Sequence, residues 1–159
     1  MSSADKNLST YSELNLQNVH EKRFGIVVSE WNNSVTDSLY AGALETLQAH
    51  GARREHISTL QVPGSFELTL GAQRLAQQEE IDAVICLGCV IQGETRHFEF
   101  ICNAVAHGLT DVSLKFNKPV VFGVLTPDTY QQALDRAGGK HGNKGDEAAI
   151  TAIKMLYQS

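Results

Sequence analysis

Apolar residues recur along this chain in two alternating rhythms. Short unbroken apolar runs, rich in β-branched residues, alternate with longer stretches whose apolar side chains return every three or four positions. The run Phe24-Gly25-Ile26-Val27-Val28 predicts a first strand. From Ser34 to His50, Val35, Leu39, Ala43 and Leu47 fall four apart and predict a first helix, with Gly51 as its stop. Ile57 to Val62 predicts a second strand, ended by Pro63-Gly64. Phe66 to Gln78 predicts a second helix with Leu70, Leu75 and Ala76 turned inward. The continuous apolar stretch from Asp82 to Ile91 reads as a third strand covered on both faces. Thr95 to Lys115 reads as a third helix with Phe98, Ile101, Cys102, Val105 and Leu109 on one stripe. Pro119 to Leu125 is a fourth strand and Thr129 to Ala137 a short fourth helix. A glycine-rich connector, Gly138 to Gly145, leads to a fifth helix from Asp146 to Tyr157.

Strands that alternate with helices imply a parallel sheet with helices on both faces. The expectation is a single-domain, flavodoxin-like, doubly wound α/β fold with a four-stranded parallel sheet. The domain spans residues 21–159, and the polar segment 1–20 reads as a lead-in with few periodic signals. In such sheets ligands bind outside the carboxyl ends of the strands. Four strand-to-helix junctions are therefore the places to look for chemistry: Ser29 to Asn32, Val62 to Glu67, Val90 to His97, and Leu125 to Asp128.

Composition narrows the classes. The chain has 159 residues, 42% hydrophobic and 19% charged, an ordinary globular balance. A net charge of −5 without a Lys/Arg cluster argues against nucleic acid as a partner. No apolar run approaches the ~20 residues of a membrane span, and Met1 to Tyr11 lacks the apolar core of a secretory signal. Three cysteines, Cys86, Cys89 and Cys102, fit a reducing cytoplasm better than a disulfide framework. Cys86 and Cys89 form a CxxC, but inside an apolar strand they read as small buried hydrophobes. The histidines show no metal-ligand spacing, and the dinucleotide and nucleoside-triphosphate glycine fingerprints are missing.

At the junctions, Trp31 is the only tryptophan and stands beside Asn32 and Asn33, placed either to stack on a flat heterocycle or to pack. Gly93-Glu94-Thr95 opens the third helix, where free N–H groups and the helix dipole favour an anion; a plain helix cap is the equal alternative. His97 lies on that helix's first turn. The helix start opposes a protonated imidazole and an anion beside it favours one, a balance suited to proton transfer. Glu67, near the second helix start, could accept hydrogen bonds from the hydroxyls of a polyol. Its other reading is simple complementarity to the dipole. Arg136 to Gly145 is the densest basic stretch, open to anion contact through Arg136 or to simple solvation.

Taken together, Trp31-Asn32, Val62-Pro63-Gly64-Ser65-Phe66-Glu67, Leu87 through Phe98, Phe122 through Thr126, and Arg136-Ala137-Gly138 with Gly142-Asn143-Lys144-Gly145 resemble the lumazine synthase family of riboflavin biosynthesis. The resemblance runs from about residue 20 to residue 157 without an obvious gap. It implies condensation of 5-amino-6-(D-ribitylamino)uracil with 3,4-dihydroxy-2-butanone 4-phosphate, without a cofactor. It implies that Trp31 stacks on the pyrimidine, with Asn32 beside it, and that Ser65, Phe66 and Glu67 hold the ribityl chain and ring. The backbone of Cys89, Val90 and Ile91 would read the pyrimidine. Glu94, Thr95 and Arg136 would bind the phosphate, His97 would transfer protons, Lys144 would line the site and Phe122 would come from a neighbouring subunit. It further implies a homo-oligomeric pentamer, with the short connector pointing to a closed shell of twelve pentamers, and riboflavin synthase as an enclosed partner. The segment Leu14 to Val19 would pair with a neighbour's sheet.

Three positions depart from the family pattern: Trp31 stands where Phe is frequent, Gln92 where many relatives carry a cation, and Glu94 beside the expected phosphate. Two other functions remain open on the residues alone. One is a lysine Schiff-base enzyme using Lys144 or Lys140. The other is a non-catalytic flavin- or lumazine-binding shell protein in which His97 is idle.

Overall fold

The computed structural model describes residues 18–158. Its centre is a pair of parallel strands, β1 (Phe24–Ser29) and β3 (Ala83–Cys89), buried at every position. β2 (Ile57–Val62) flanks β1 and β4 (Val120–Leu125) flanks β3, giving the order β2-β1-β3-β4. All pairings are parallel, with Phe24 opposite both Ile57 and Ala83 and Val84 opposite Val120. The expected α/β architecture is present: a single four-stranded parallel sheet with helices on both faces.

Because successive strand residues point to opposite faces, the central pair feeds two cores. Phe24, Ile26, Ile85 and Leu87 face α1 (Asn33–Ala49) and α5 (Lys144–Leu156), whose Leu39, Ala43, Ala149 and Ile153 complete that layer. Val27, Val84 and Cys86 face α2 (Leu68–Ala76) and α3 (His97–Phe116), with Leu68, Ala72, Val105 and Leu109. Residues buried on both faces cannot alternate polar and apolar, which is why β1 and β3 read as continuous apolar runs. Gly51, at φ +96°, lies just past the end of α1, where the sequence placed its stop.

Several boundaries differ from the sequence expectation. Residues 65–67 form a single 3-10 turn and α2 begins only at Leu68. Its inward stripe is Leu68, Ala72, Leu75 and Ala76, so Leu70, expected inward, lies two positions off the stripe and is 52% exposed. α3 starts at His97 rather than Thr95, with Arg96 before it and no side-chain cap; the Oγ1 of Thr95 accepts only a long 3.4 Å bond from the His97 N–H. The glycine-rich connector is not featureless. After α4 (Tyr130–Arg136), β5 (Ala137–Gly139) pairs antiparallel with β6 (Gly142–Asn143), and α5 follows at once. The Oδ1 of Asn143 caps α5 by accepting from the Gly145 N–H at 2.8 Å, which moves the helix start ahead of Asp146. Of the expected edge strand, residues 14–17 lie outside the described range. Val19 is fully buried, and its N–H donates to the His50 carbonyl at 3.1 Å.

The closest helix approach is that of α5 to α1. A Cβ on Gly145 would stand 2.7 Å from the carbonyl carbon of Leu39, backbone that cannot swing aside. Gly145→Ala should therefore lower stability by about 1–3 kcal/mol, the usual range for overpacking. Gly93→Ala, where a Cβ would meet nothing within 4 Å, should leave the urea midpoint unchanged.

Candidate active site

Chain order makes β1 a switch point: the connection leaving it runs to β2 on one side, and β3 enters on the other. The turn after β1 is fastened to both neighbours. The Glu30 N–H donates to the Val62 carbonyl at 2.8 Å and the Trp31 N–H to the Pro63 carbonyl at 3.1 Å. Asn32 takes the left-handed conformation, φ 60° and ψ 45°, and its carbonyl accepts from the N–H groups of Val35 and Thr36, starting α1. Its Nδ2 donates to the Cys89 carbonyl at 2.9 Å. One residue thus joins the end of β3 to the first turn of α1, and Trp31 is left 73% exposed, outside both cores.

From β2 the chain turns through Pro63-Gly64 into the 3-10 turn that carries Ser65, Phe66 and Glu67. Phe66 is 55% exposed. The Oε2 of Glu67 accepts from the Gly64 N–H at 2.9 Å, so one carboxylate oxygen fixes the turn. Beyond β3, the Val90 N–H donates to the Leu125 carbonyl at 2.8 Å and the Gln92 N–H to the Pro127 carbonyl at 2.9 Å. These bonds keep the segment to Gln92 in line with β4 after the regular ladder has ended.

These segments enclose a cavity of about 550 Å³. Trp31 and Asn32 stand at one wall; Ser65, Phe66 and Glu67 form a second; Cys89, Val90 and Ile91 form a third; and His97 closes the rim from α3. Nine sequence-derived site residues thus share one space. Gly64 and Ile101 also line it; the apolar periodicity marks Ile101 only as part of a helix stripe. Burial pushes the Cys89 thiol up to about 11 and drives that of Cys86 higher still. The CxxC is thus a pair of protonated, free thiols within a strand.

Phe122, Arg136 and Lys144 line a different cavity, of about 740 Å³, along β4. β4 is an edge strand there, and Phe122 is 43% exposed on it. Arg136 donates through Nη1 to the Gln132 carbonyl at 3.3 Å. Lys144 Nζ lies 2.7 Å from Glu147 Oε2, and Lys140 Nζ 3.1 Å from Asp135 Oδ2. Both lysines are thus engaged in ion pairs with neighbouring carboxylates. Glu94 and Thr95 are exposed and line neither cavity. Among the described residues no group of three or more His, Cys, Asp or Glu could hold a metal ion, and no helix is long and apolar enough to cross a membrane.

Comparison with known proteins places this geometry in a family. Residues 21–159 match the family model described as 6,7-dimethyl-8-ribityllumazine synthase. The chain is 66% identical over 159 residues to the 6,7-dimethyl-8-ribityllumazine synthase of Cytophaga hutchinsonii, covering 100% of this chain and 99% of that protein. It is 53% identical over 156 residues to the protein so named from Parabacteroides distasonis, covering 98% of each. It is 51% identical over 157 residues to that from Flavobacterium johnsoniae, covering 99% of this chain and 83% of that one.

Since the Cys89 thiol is raised to about 11, almost no thiolate exists at pH 8, and the thiolate is the species that alkylates. Iodoacetamide at pH 8 should leave Cys86 and Cys89 unlabelled in the folded protein and label both rapidly in urea. Rapid native labelling of Cys89, read by peptide mass, would contradict this account.

Proposed function

We infer that this chain, which belongs to the 6,7-dimethyl-8-ribityllumazine synthase family, is a transferase of riboflavin biosynthesis. It condenses 5-amino-6-(D-ribitylamino)uracil with 3,4-dihydroxy-2-butanone 4-phosphate to 6,7-dimethyl-8-ribityllumazine. The observation that carries this reading is the single cavity shared by Trp31, Ser65 to Glu67, Cys89 to Ile91 and His97.

The chemistry suits that inventory. The aryl amine attacks the ketone carbon, and a first water leaves to give an imine. Loss of the adjacent C–H proton expels phosphate and leaves an enol, which tautomerises to a ketone. The second amine attacks that ketone and closes the ring with loss of a second water. The amine brings its own nucleophilicity, so the protein positions two substrates and moves protons. In this reading the Trp31 indole stacks on the pyrimidine, with Asn32 shaping the turn beside it and Phe66 packing on the ring. Main-chain groups of Cys89, Val90 and Ile91 meet the pyrimidine edge. Ser65 and the Oε1 of Glu67 meet the ribityl hydroxyls, and His97 relays protons. Arg136 holds the phosphate, with the exposed N–H groups at Glu94 and Thr95 as its second anchor, while Lys144 and Phe122 complete the wall.

Phe122, Arg136 and Lys144 line a cavity separate from that of His97. We therefore assign each complete site to two subunits, the β4 side of one facing the His97 side of the next. Phe100 and Leu114, 66% and 76% exposed on α3, support burial against further copies. The reading extends to a pentamer, to its closed shell with riboflavin synthase as an enclosed partner, to a cytoplasmic location, and to the lead-in 1–20 pairing with a neighbour's sheet ahead of the domain 21–159.

Purified protein mixed with the two substrates should form the lumazine well above a protein-free control, followed by chromatography. His97→Ala should slow turnover by about 100-fold, the lower end of what a lost proton relay costs. No acceleration by folded protein would overturn the assignment.

The shared site has its own test. His97→Ala and Arg136→Ala chains, each impaired alone, should recover activity when co-assembled in equal amounts. About a quarter of the interfaces then pair two intact halves. No recovery in verified mixed oligomers would place both halves in one subunit.

A further inference from the structure

Two serine hydroxyls lie beneath the His97 cavity without a protein partner. Ser29, the last residue of β1, is fully buried, and Ser65, in the turn after β2, is 6% exposed. Among the described residues, neither Oγ has a hydrogen-bond partner. Their neighbours on this face of the sheet are apolar: Val27, Cys86 and Leu68 belong to the layer under α2 and α3. A buried hydroxyl that gives up its solvent hydrogen bonds without replacement costs stability, so such pairs call for a shared partner.

Both hydroxyls converge on one spot. Val28 pairs with Leu87, so Ser29 lies beside Gly88 at the end of the ladder. A Cβ built on Gly88 would stand 2.7 Å from Ser65 Oγ and 3.4 Å from Ser29 Oγ, with the Leu68 Cδ1 methyl 2.9 Å away. The two oxygens are thus no farther apart than the sum of those first two distances, yet they do not bond each other. Only the absence of a side chain at position 88 keeps the space between them open.

We propose that Ser29, Ser65 and the bare face of Gly88 form a binding site for one water molecule beneath the cavity. A water can serve both hydroxyls at once, as donor to one and acceptor or donor to the other, and buried waters characteristically bridge such groups. Leu68 closes the apolar side. Ser65 also lines the cavity, so the water sets the direction in which its hydroxyl points. The proposal stands on the hydroxyl geometry and not on the identity of the reaction.

The test is a high-resolution crystal structure of the full chain as wild type, Ser29→Ala, Ser65→Ala and Gly88→Ala. The expected result is a density peak within about 3.2 Å of both hydroxyls in the wild type. The peak should weaken in either serine variant and vanish in Gly88→Ala. A wild-type map with no peak there, or with either hydroxyl turned onto a main-chain carbonyl, overturns the proposal. Should Gly88→Ala not fold, the serine pair still decides. A shared water predicts that the double variant loses less in Tm than the two single variants together, and additive losses refute it.

Discussion

Parallel pairing of β1 with β3 sets Val28 opposite Leu87 and so brings the two central strands to their carboxyl ends side by side. Everything at the His97 cavity depends on that register. It allows the Asn32 amide to reach the Cys89 carbonyl, which in turn fixes the turn that displays Trp31. A slip of one residue would exchange the faces of every β1 side chain, driving Phe24 and Ile26 out of the α1 and α5 layer. Two apolar layers hold the register because each face of the central pair is fully covered. The same burial that stabilises the sheet therefore aligns the chemistry.

The edges of the sheet carry a different logic. Among the described residues, β2 and β4 are each paired on one side only, and β4 carries Phe122 beside Arg136 and Lys144 in its own cavity. Lys144 pairs there with Glu147, while the Arg136 guanidinium donates to the Gln132 carbonyl of its own helix. The two cavities are unlike in their linings: Trp31, Phe66 and His97 surround the one at the strand ends, and Phe122, Arg136 and Lys144 stand in the one along β4.

The fold was legible because its signals are local and repeated. Two fully buried strands cannot hide their apolar runs, and α1 announces both its stripe and its terminus at Gly51. Most cavity residues were legible for a related reason: α/β topology brings strand-end junctions together whatever their sequence. What escaped was decided by tertiary geometry. Leu70 has the right composition for a core position, but the 3-10 turn at residues 65–67 resets the helical phase and rotates it outward. The hairpin at 137–143 hides behind glycines that read as a loop, and Asn143 caps α5 through a side chain whose role depends on where the hairpin aims it. The separation of Phe122, Arg136 and Lys144 from the other site residues is likewise invisible in a linear string. So is the convergence of Ser29 and Ser65 on Gly88, since it requires three segments to be superposed.

Trp31 is the chain's single tryptophan, and it stands largely in solvent at the wall of one cavity. The ultraviolet emission of the folded protein above 300 nm therefore arises mostly from one address, with a red-shifted maximum typical of a hydrated indole. A ring that stacks there will quench it, and nothing binding along β4 alone will touch it so directly. The molecule thus carries a built-in optical probe of that one cavity, readable without any label.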